Sequence, residues 1–215
     1  MKFFKRLSYV YSVLIFLFLY APIVVLIVYS FNSEKSRAKW GGLTLDWYRA
    51  LFSNSEIMRA LSTTVTIALL SSVIAVVIGT MAAVGIYNMR RRSKMAVMSL
   101  AYLPMLNADI VTGVSLLLIF SALGLRLGYF TLLLAHVTFN IPYVILSVMP
   151  KLKQLDPNLY EAAQDLGAPP ATAFFRVVMP EISPGIVTGF LLAFTMSIDD
   201  FVISFFTTGS GVSTL

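Results

Sequence analysis

Long apolar runs separated by short polar segments dominate the chain. An apolar stretch of about 20 residues is long enough to cross a bilayer as a helix, and five runs reach that length. These runs cover residues 9–31, 62–87, 96–123, 129–150 and 182–206. Lysine and arginine occur only at their edges. The pattern therefore predicts an all-α protein, a polytopic bundle of transmembrane helices.

The composition agrees with a membrane protein and excludes most soluble classes. Of the 215 residues 58% are hydrophobic and 12% are charged, whereas a soluble domain has about 45–50% and about 25%. The chain has no cysteine and one histidine, His136, so we expect no disulfide, no metal site and no thiol catalysis. It contains no phosphate-binding G-x-x-x-x-G-K-[ST] loop, no nucleophile elbow and no zinc motif. We therefore expect a protein that is not an enzyme and has no catalytic residue.

The net charge of +6 arises from basic residues at the ends of the apolar runs. They form no continuous patch, so the sequence does not predict a nucleic-acid-binding protein. Basic residues concentrate on the cytoplasmic side of membrane proteins. With the N-terminus in the cytoplasm, ten of the sixteen Lys and Arg residues fall on the inner side. The sequence therefore predicts a multi-pass protein whose N-terminus is cytoplasmic.

The predicted cytoplasmic loop, residues 151–181, has the signals of two short helices. Asp156 stands before a proline, a combination that starts helices. Gly167 supplies a stop for the first helix. The pattern predicts a second short helix over residues 171–178, which Pro180 ends.

The first of these helices combines an apolar and an acidic face. Its apolar positions at helical spacing are Leu155, Leu159, Ala162, Ala163 and Leu166. Glu161 and Asp165 are four residues apart and repel each other by a few tenths of a kcal/mol. Spacing alone leaves two interpretations open, a solvated acidic face with the apolar face against the membrane, and a docking surface for a cationic partner.

The loop resembles the EAA loop of bacterial ABC-importer permeases. It contains Glu161-Ala162-Ala163, three residues, Gly167, nine residues and then Val-Val-Met-Pro, where the family has I-x-L-P at the same distance. The resemblance implies that this helix docks on a pair of ATPase subunits, which carry ATP and Mg; no cofactor is expected in this chain. The implied ATPase-coupling residues are Glu161, Ala162, Ala163, Asp165 and Gly167.

Further segments resemble the permeases of spermidine/putrescine ABC importers. They are residues 23–32, 40–48, 108–120, 136–144 and 197–209. The resemblance implies translocation of polyamines across the bacterial cytoplasmic (inner) membrane. It also implies a second homologous permease subunit and an extracytoplasmic polyamine-binding protein as partners. Ala108 replaces the proline that the family has before the acidic residue, so a kink there has no proline to cause it.

The number of spans differs from that of the family. Such permeases have six spans, whereas five are present here and a sixth is missing. We therefore expect residues 1–215 to be a single transmembrane permease domain that is truncated at its C-terminus.

Three carboxylates, Asp109, Asp199 and Asp200, lie inside predicted spans. A charged group at the centre of a bilayer costs about 2.5–3.5 kcal/mol on insertion scales, so it normally faces the bundle interior or a wet cavity. The carboxylates either form structural bonds, with hydroxyl groups nearby, or line a path for a cationic substrate, and the resemblance favours the path. Adjacent helical residues point about 100° apart, so we expect only one of Asp199 and Asp200 to face the path.

Two other features of the spans predict helix packing. His136 and Asn140 are four residues apart, and we expect them to form hydrogen bonds across helices. The second span has a set of small residues for close contact with a neighbouring helix. These are Ala75, Gly79, Ala82, Ala83 and Gly85.

Three other functions remain open from the sequence. The first is a permease of the same fold for another solute, such as ferric ion or a phosphonate. The second is a secondary transporter or channel driven by a gradient, and the third is a structural membrane subunit. Three intramembrane acids without an intramembrane lysine or arginine disfavour an anionic substrate.

Overall fold

The computed structural model describes residues 2–35, 39–209 and 212–214, which are almost entirely helical. In chain order, the helices are α1 (Lys2–Tyr29), α2 (Asp46–Ser53), α3 (Ser55–Tyr87), α4 (Arg91–Leu106), α5 (Asp109–Ala122), α6 (Tyr129–Gln154), α7 (Leu159–Asp165), α8 (Pro170–Ala173), α9 (Met179–Asp199) and α10 (Val202–Thr207). Between α8 and α9 lies a π-helical turn, Phe174–Val178. Within the described ranges, the only β-type pairing is a single bridge between Asn32 and Leu43. The all-α prediction is confirmed.

The chain divides into two compact units, the first ending at Met58 and the second beginning at Arg59. In the first unit, α1 contains an apolar segment, Tyr9–Tyr29, that is exposed along its whole length. The chain then turns at Asn32, whose side chain is buried. The Asn32 Nδ2 group donates to the carbonyl of Lys39 (2.8 Å), and its Oδ1 accepts from the N–H of Gly41 (2.7 Å).

The core of the second unit consists of α6 packed between α3 and α9. Small residues allow the helices to approach closely at Val144 of α6. A Cβ atom built at Gly79 of α3 would lie 2.7 Å from the Cβ of Val144, and one built at Gly189 of α9 would lie 3.2 Å from its Cα. Because lipid tails are as apolar as the side chains, such close contacts are a main source of stability between membrane helices.

The predicted small-residue face of the second span is confirmed in part. Ala75, Gly79 and Ala83 are buried, at intervals of four residues. Ala82 is half-buried, whereas Gly85 is exposed, and a Cβ atom built there would meet nothing within 4 Å. Gly85 lies on the opposite side of α3 from Ala83 because helical residues two positions apart point about 200° apart.

The third predicted span, residues 96–123, is wrong as a single helix. It consists of α4 and α5, which are bent by 107° at Asn107 and Ala108. Both residues of the break have extended backbone conformations. Within the part of the chain that the structure describes, four helices are long and apolar enough to cross a membrane, and a fifth span results if this bent pair is counted as one. Asp109 therefore begins a helix, although the sequence placed it near the middle of one.

The region of the fifth predicted span also differs from the prediction. The second loop helix does not end at Pro180, because the helical chain continues from Pro170 to Asp199. Pro180 is the second residue of α9 and directly follows the π-helical turn Phe174–Val178, where the regular α-helical bonding pattern is interrupted. At the other end the span is interrupted after Asp199, and α10 begins at Val202.

Candidate functional sites

The three intramembrane carboxylates meet at one cavity of about 250 Å³. Helix α6 contributes two aromatic residues to its wall. The cavity is lined by Asp109, Phe139, Tyr143, Met196, Asp199, Asp200, Phe201 and Val202. The sequence predicted the three acids as site residues, and the structure brings them together.

Two helix breaks bring these acids to the same place. Asp109 is the first residue of α5, directly after the break that follows α4. Asp199 is the last residue of α9, and Asp200 lies in the break before α10. Helices α5 and α10 are neighbours, since a Cβ atom at Gly113 would lie 2.9 Å from Cδ2 of Phe206. Both breaks therefore border the cavity.

Asp199 and Asp200 have different surroundings. The side chain of Asp200 is only 6% exposed, and its carboxylate accepts hydrogen bonds from the backbone N–H groups of Ile203 (3.2 Å) and Ser204 (3.3 Å). Asp109 and Asp199 are exposed at the cavity. Asp199 and Asp200 both line the cavity, and Asp200 is held there by two backbone N–H groups of α10.

Buried polar groups form a hydrogen-bonded network behind this cavity. His136 Nδ1 is 2.7 Å from Oγ of Ser197, and His136 Nε2 is 3.0 Å from Oγ of Ser204. Asn140 Nδ2 donates to Oγ of Ser71 (3.3 Å), which lies 3.2 Å from Oγ of Ser197. The expectation that His136 and Asn140 bond across helices is thus confirmed.

Sequence reasoning missed the connection between this network and the acids. The spans lack lysine and arginine, and no sequence pattern places His136 beside the intramembrane carboxylates. However, Nε2 of His136 lies 3.8 Å from Oδ2 of Asp200. The sequence gives no signal for this contact, because the two residues are 64 positions apart and the break in the fifth span creates it.

The second candidate site is the loop helix α7. It begins at Leu159, after a turn in which the N–H of Asn158 donates to Oδ1 of Asp156 (2.9 Å). The predicted start at Asp156 is therefore a turn that precedes the helix. The predicted stop is confirmed, because Gly167 has a φ of 84°, which favours glycine.

The exposed face of α7 contains the two predicted acidic residues and, in addition, two apolar residues. Glu161 and Asp165 are exposed, as expected, and so are Ala162 and Leu166. Leu166 is 91% exposed, whereas Leu159 and Ala163 of the same predicted apolar face are half-buried. The inward face is carried by half-buried residues, among them Tyr160, which packs against the core of the second unit.

The inward face is set by the position of α7 against the rest of the loop. Helix α7 packs on α8 and on the following π-helical turn. Beneath it lies a cavity of about 610 Å³ between α7, α8 and the C-terminal ends of α3 and α6. These contacts involve the face of α7 that carries Tyr160. Ala162 lies on the opposite, exposed face, and the residues three and four positions after it, Asp165 and Leu166, lie on that face too. Leu166 therefore projects outward together with Asp165.

Comparison with known proteins identifies relatives over most of the chain. Residues 75–215 match the family described as "Binding-protein-dependent transport system inner membrane component". The chain is 39% identical, over 97% of its length and 80% of the relative's, to the spermidine/putrescine transport system permease protein PotC of Haemophilus influenzae. It is 40% identical to PotC of Escherichia coli K12 (91% of this chain, 74% of the relative). It is 41% identical to the putrescine transport system permease protein PotI of the same strain (93% and 74%).

Solved structures share the fold at lower sequence identity. One is a bacterial ABC transporter involved in the import of the acidic polysaccharide alginate, with a TM-score of 0.66 and 19% identity. The similarity covers 97% of this chain and 80% of that chain. Another is a bacterial alginate ABC transporter in complex with an alginate pentasaccharide-bound periplasmic protein, with a TM-score of 0.63 and 21% identity, covering 89% and 73%.

Proposed function

Because the chain belongs to the family of binding-protein-dependent transport system inner membrane components, we propose that it translocates polyamines as a permease subunit of an ATP-driven importer. The observation that carries this proposal is the cavity where Asp109, Asp199 and Asp200 meet. The names of the PotC and PotI relatives, which specify spermidine and putrescine, support the same substrate class.

The chemistry of the cavity suits a polyamine. A polyamine carries several ammonium groups on an apolar chain, and these groups lose water when they enter the membrane. The exposed carboxylates of Asp109 and Asp199 replace that water with charge-assisted hydrogen bonds. The rings of Phe139 and Tyr143 line the same cavity, and aromatic faces attract cations and pack against methylene groups.

The outward face of α7 supports a role in coupling. Glu161, Ala162, Asp165 and Leu166 are exposed there, and they combine negative charge with one large apolar side chain. We propose that this face binds one of two ATPase subunits, which hold ATP and Mg. In this proposal α7 lies in the cytoplasm, as does the N-terminus.

The remaining partners complete the transport cycle. A second permease subunit encloses the path together with this chain, and an extracytoplasmic binding protein delivers the polyamine. Closure of the ATPase subunits on ATP pushes the coupling helices together, which changes the side of the membrane to which the path opens.

The test of the substrate is ATP-dependent uptake of labelled spermidine by membrane vesicles that contain the full-length subunit with its partner subunits. Unlabelled putrescine, ferric ion and a phosphonate are added as competitors. We expect competition by putrescine alone. Competition by ferric ion or the phosphonate, or ATP hydrolysis without spermidine uptake, would contradict the polyamine assignment and leave the permease role intact.

A separate variant tests the ATP-driven mechanism against a gradient-driven one. Glu161→Lys reverses a charge on the exposed face of α7, outside the acidic cavity. We expect it to abolish uptake, because it opposes the charge pattern that the ATPase subunit meets. A transporter driven by an ion gradient needs no such contact and keeps its uptake. The amount of the subunit in the membrane is measured as a control.

A further inference from the structure

The imidazole of His136 connects the two sides of the α9–α10 break. Its ring is 1% exposed, and each ring nitrogen has a hydroxyl partner on a different element. Nδ1 is 2.7 Å from Oγ of Ser197 in the last turn of α9, and Nε2 is 3.0 Å from Oγ of Ser204 in α10. A neutral imidazole has one donor and one acceptor nitrogen, so the two serine hydroxyls use its full hydrogen-bonding capacity.

The network extends this connection to α3. Asn140 Nδ2 donates to Oγ of Ser71, which is within hydrogen-bond distance of Oγ of Ser197. Ser197 in turn bonds His136. Bonds in such a connected chain strengthen one another, and the hydroxyl of Ser71 lies equally close to the carbonyl oxygen of Ala68 in its own helix. Removal of the imidazole leaves Ser197 and Ser204 without their shared partner in a buried place.

The break itself determines where the acids point. The carboxylate of Asp200 accepts the backbone N–H groups of Ile203 and Ser204, and its Oδ2 lies 3.8 Å from Nε2 of His136. Asp199, the last residue of α9, remains exposed at the cavity. The angle at which α9 and α10 meet therefore sets the position of Asp199 relative to Asp200 and to the α10 side of the cavity.

We propose that His136 is a positioning residue for the acidic cavity. It binds Ser197 and Ser204 on the two sides of the break and keeps α10 where its backbone N–H groups bind Asp200. Asp199 is thereby left as the carboxylate presented to the substrate. The inference rests on the proposed function for the identity of the substrate, but not for the role of His136 in the break.

The first experiment measures the break directly by thiol labelling. Residues 1–215 contain no cysteine, so an introduced cysteine is the only one among them. Ile203→Cys reports on α10, and Ile182→Cys serves as the matched control in the first turn of α9. Both isoleucines are 0% exposed. The assembled transporter is treated with a water-soluble methanethiosulfonate, and the subunit is separated before labelling is measured.

We expect His136→Phe to increase the labelling rate at position 203 about tenfold, because two hydrogen bonds that hold α10 are lost. At position 182 we expect less than about a twofold change, since local opening of one segment does not expose the rest. Equal protection of position 203 with and without His136, or an equal increase at both positions, would overturn the proposal.

The second experiment measures spermidine uptake by the same transporter. His136→Phe is expected to raise the half-saturating concentration about tenfold while the maximal rate per assembled transporter changes little. His136→Gln has an amide donor and acceptor and is expected to restore part of the loss. A lower maximal rate at unchanged half-saturation, or no difference between the Phe and Gln variants, would indicate a structural role and overturn the proposal.

The two experiments separate this inference from the proposed function. If the unmodified transporter does not take up spermidine, the polyamine assignment fails, and the labelling at positions 203 and 182 still decides whether His136 holds the break. If uptake is normal but Cys labelling at position 203 is equally slow with His136 and with His136→Phe, the polyamine assignment stands and the role of His136 is rejected.

Discussion

Asp199 and Asp200 are neighbours in sequence but differ in what their carboxylates contact. The oxygens of Asp200 accept two backbone N–H groups, whereas Asp199 is exposed at the cavity. Helical geometry alone predicted that only one of the two faces the path, whereas both line the cavity and differ in their contacts. This difference depends on the break after Asp199, which turns Asp200 toward α10 and away from the helical direction of α9.

This difference predicts unequal effects of removing each charge. Asp199→Asn is expected to lower spermidine uptake about ten- to hundredfold, because hydrogen bonds to charged groups contribute about 1.5–3 kcal/mol. Asp200→Asn is expected to impair uptake less, since Asp200 is not the carboxylate presented to the substrate. Its amide oxygen can still accept one of the two backbone N–H groups, which bond to different oxygens of the carboxylate. Uptake is measured per assembled transporter, and neither variant is expected to reduce assembly by much.

Asp46→Asn provides the matched control. Asp46 is an exposed acid that lies 3.6 Å from Arg49, and exposed ion pairs contribute about 0–1 kcal/mol. The Asp46→Asn variant should therefore take up spermidine at the rate of the unmodified protein. Wild-type uptake by both the Asp199 and the Asp200 variants would remove these residues from the substrate path.

At the scale of helices, hydrophobicity predicted the existence of the spans but not their breaks. The runs at 9–31, 62–87 and 129–150 correspond to single helices, because a helix satisfies all its backbone groups in lipid. The breaks at Asn107 and after Asp199 occur inside apolar sequence. They depend on contacts with other helices, which a one-dimensional pattern does not contain. The acidic cavity is formed at these breaks, so its residues were predictable and its geometry was not.

Two glycines of α3 give a matched test of helix packing. A Cβ atom at Gly79 would lie 2.7 Å from the Cβ of Val144, whereas one at Gly85 meets nothing within 4 Å. We expect Gly79→Ala to lower the melting temperature of the purified transporter, because overpacking costs about 1–3 kcal/mol. Gly85→Ala is expected to leave it unchanged or raise it, since alanine in a helix is more favourable than glycine by about 0.5–1 kcal/mol. Equal melting temperatures for the two variants would contradict this packing of α3 on α6.

At the scale of the whole molecule, one continuous helical segment joins the two candidate sites. It runs from Pro170, beside α7, to Asp199 at the acidic cavity. A helix of 30 residues is about 45 Å long, which is more than the hydrocarbon core of a bilayer. Its regular α-helical pattern is interrupted by the π-helical turn Phe174–Val178, on which α7 packs. A displacement of α7 therefore has a direct mechanical route to Asp199.

Leu166 tests whether the outward face of α7 binds an ATPase subunit. Its side chain is 91% exposed, so Leu166→Asp removes few contacts within the chain and should leave the melting temperature of the subunit unchanged. We expect the ATPase subunit recovered with the permease to fall about tenfold, because an apolar anchor at an interface contributes at least about 1 kcal/mol. Leu43→Asp, at a leucine that is 82% exposed in the first unit, is the control and should keep full recovery. Recovery of the ATPase subunit at the normal level with Leu166→Asp would mean that this face of α7 is not the docking surface.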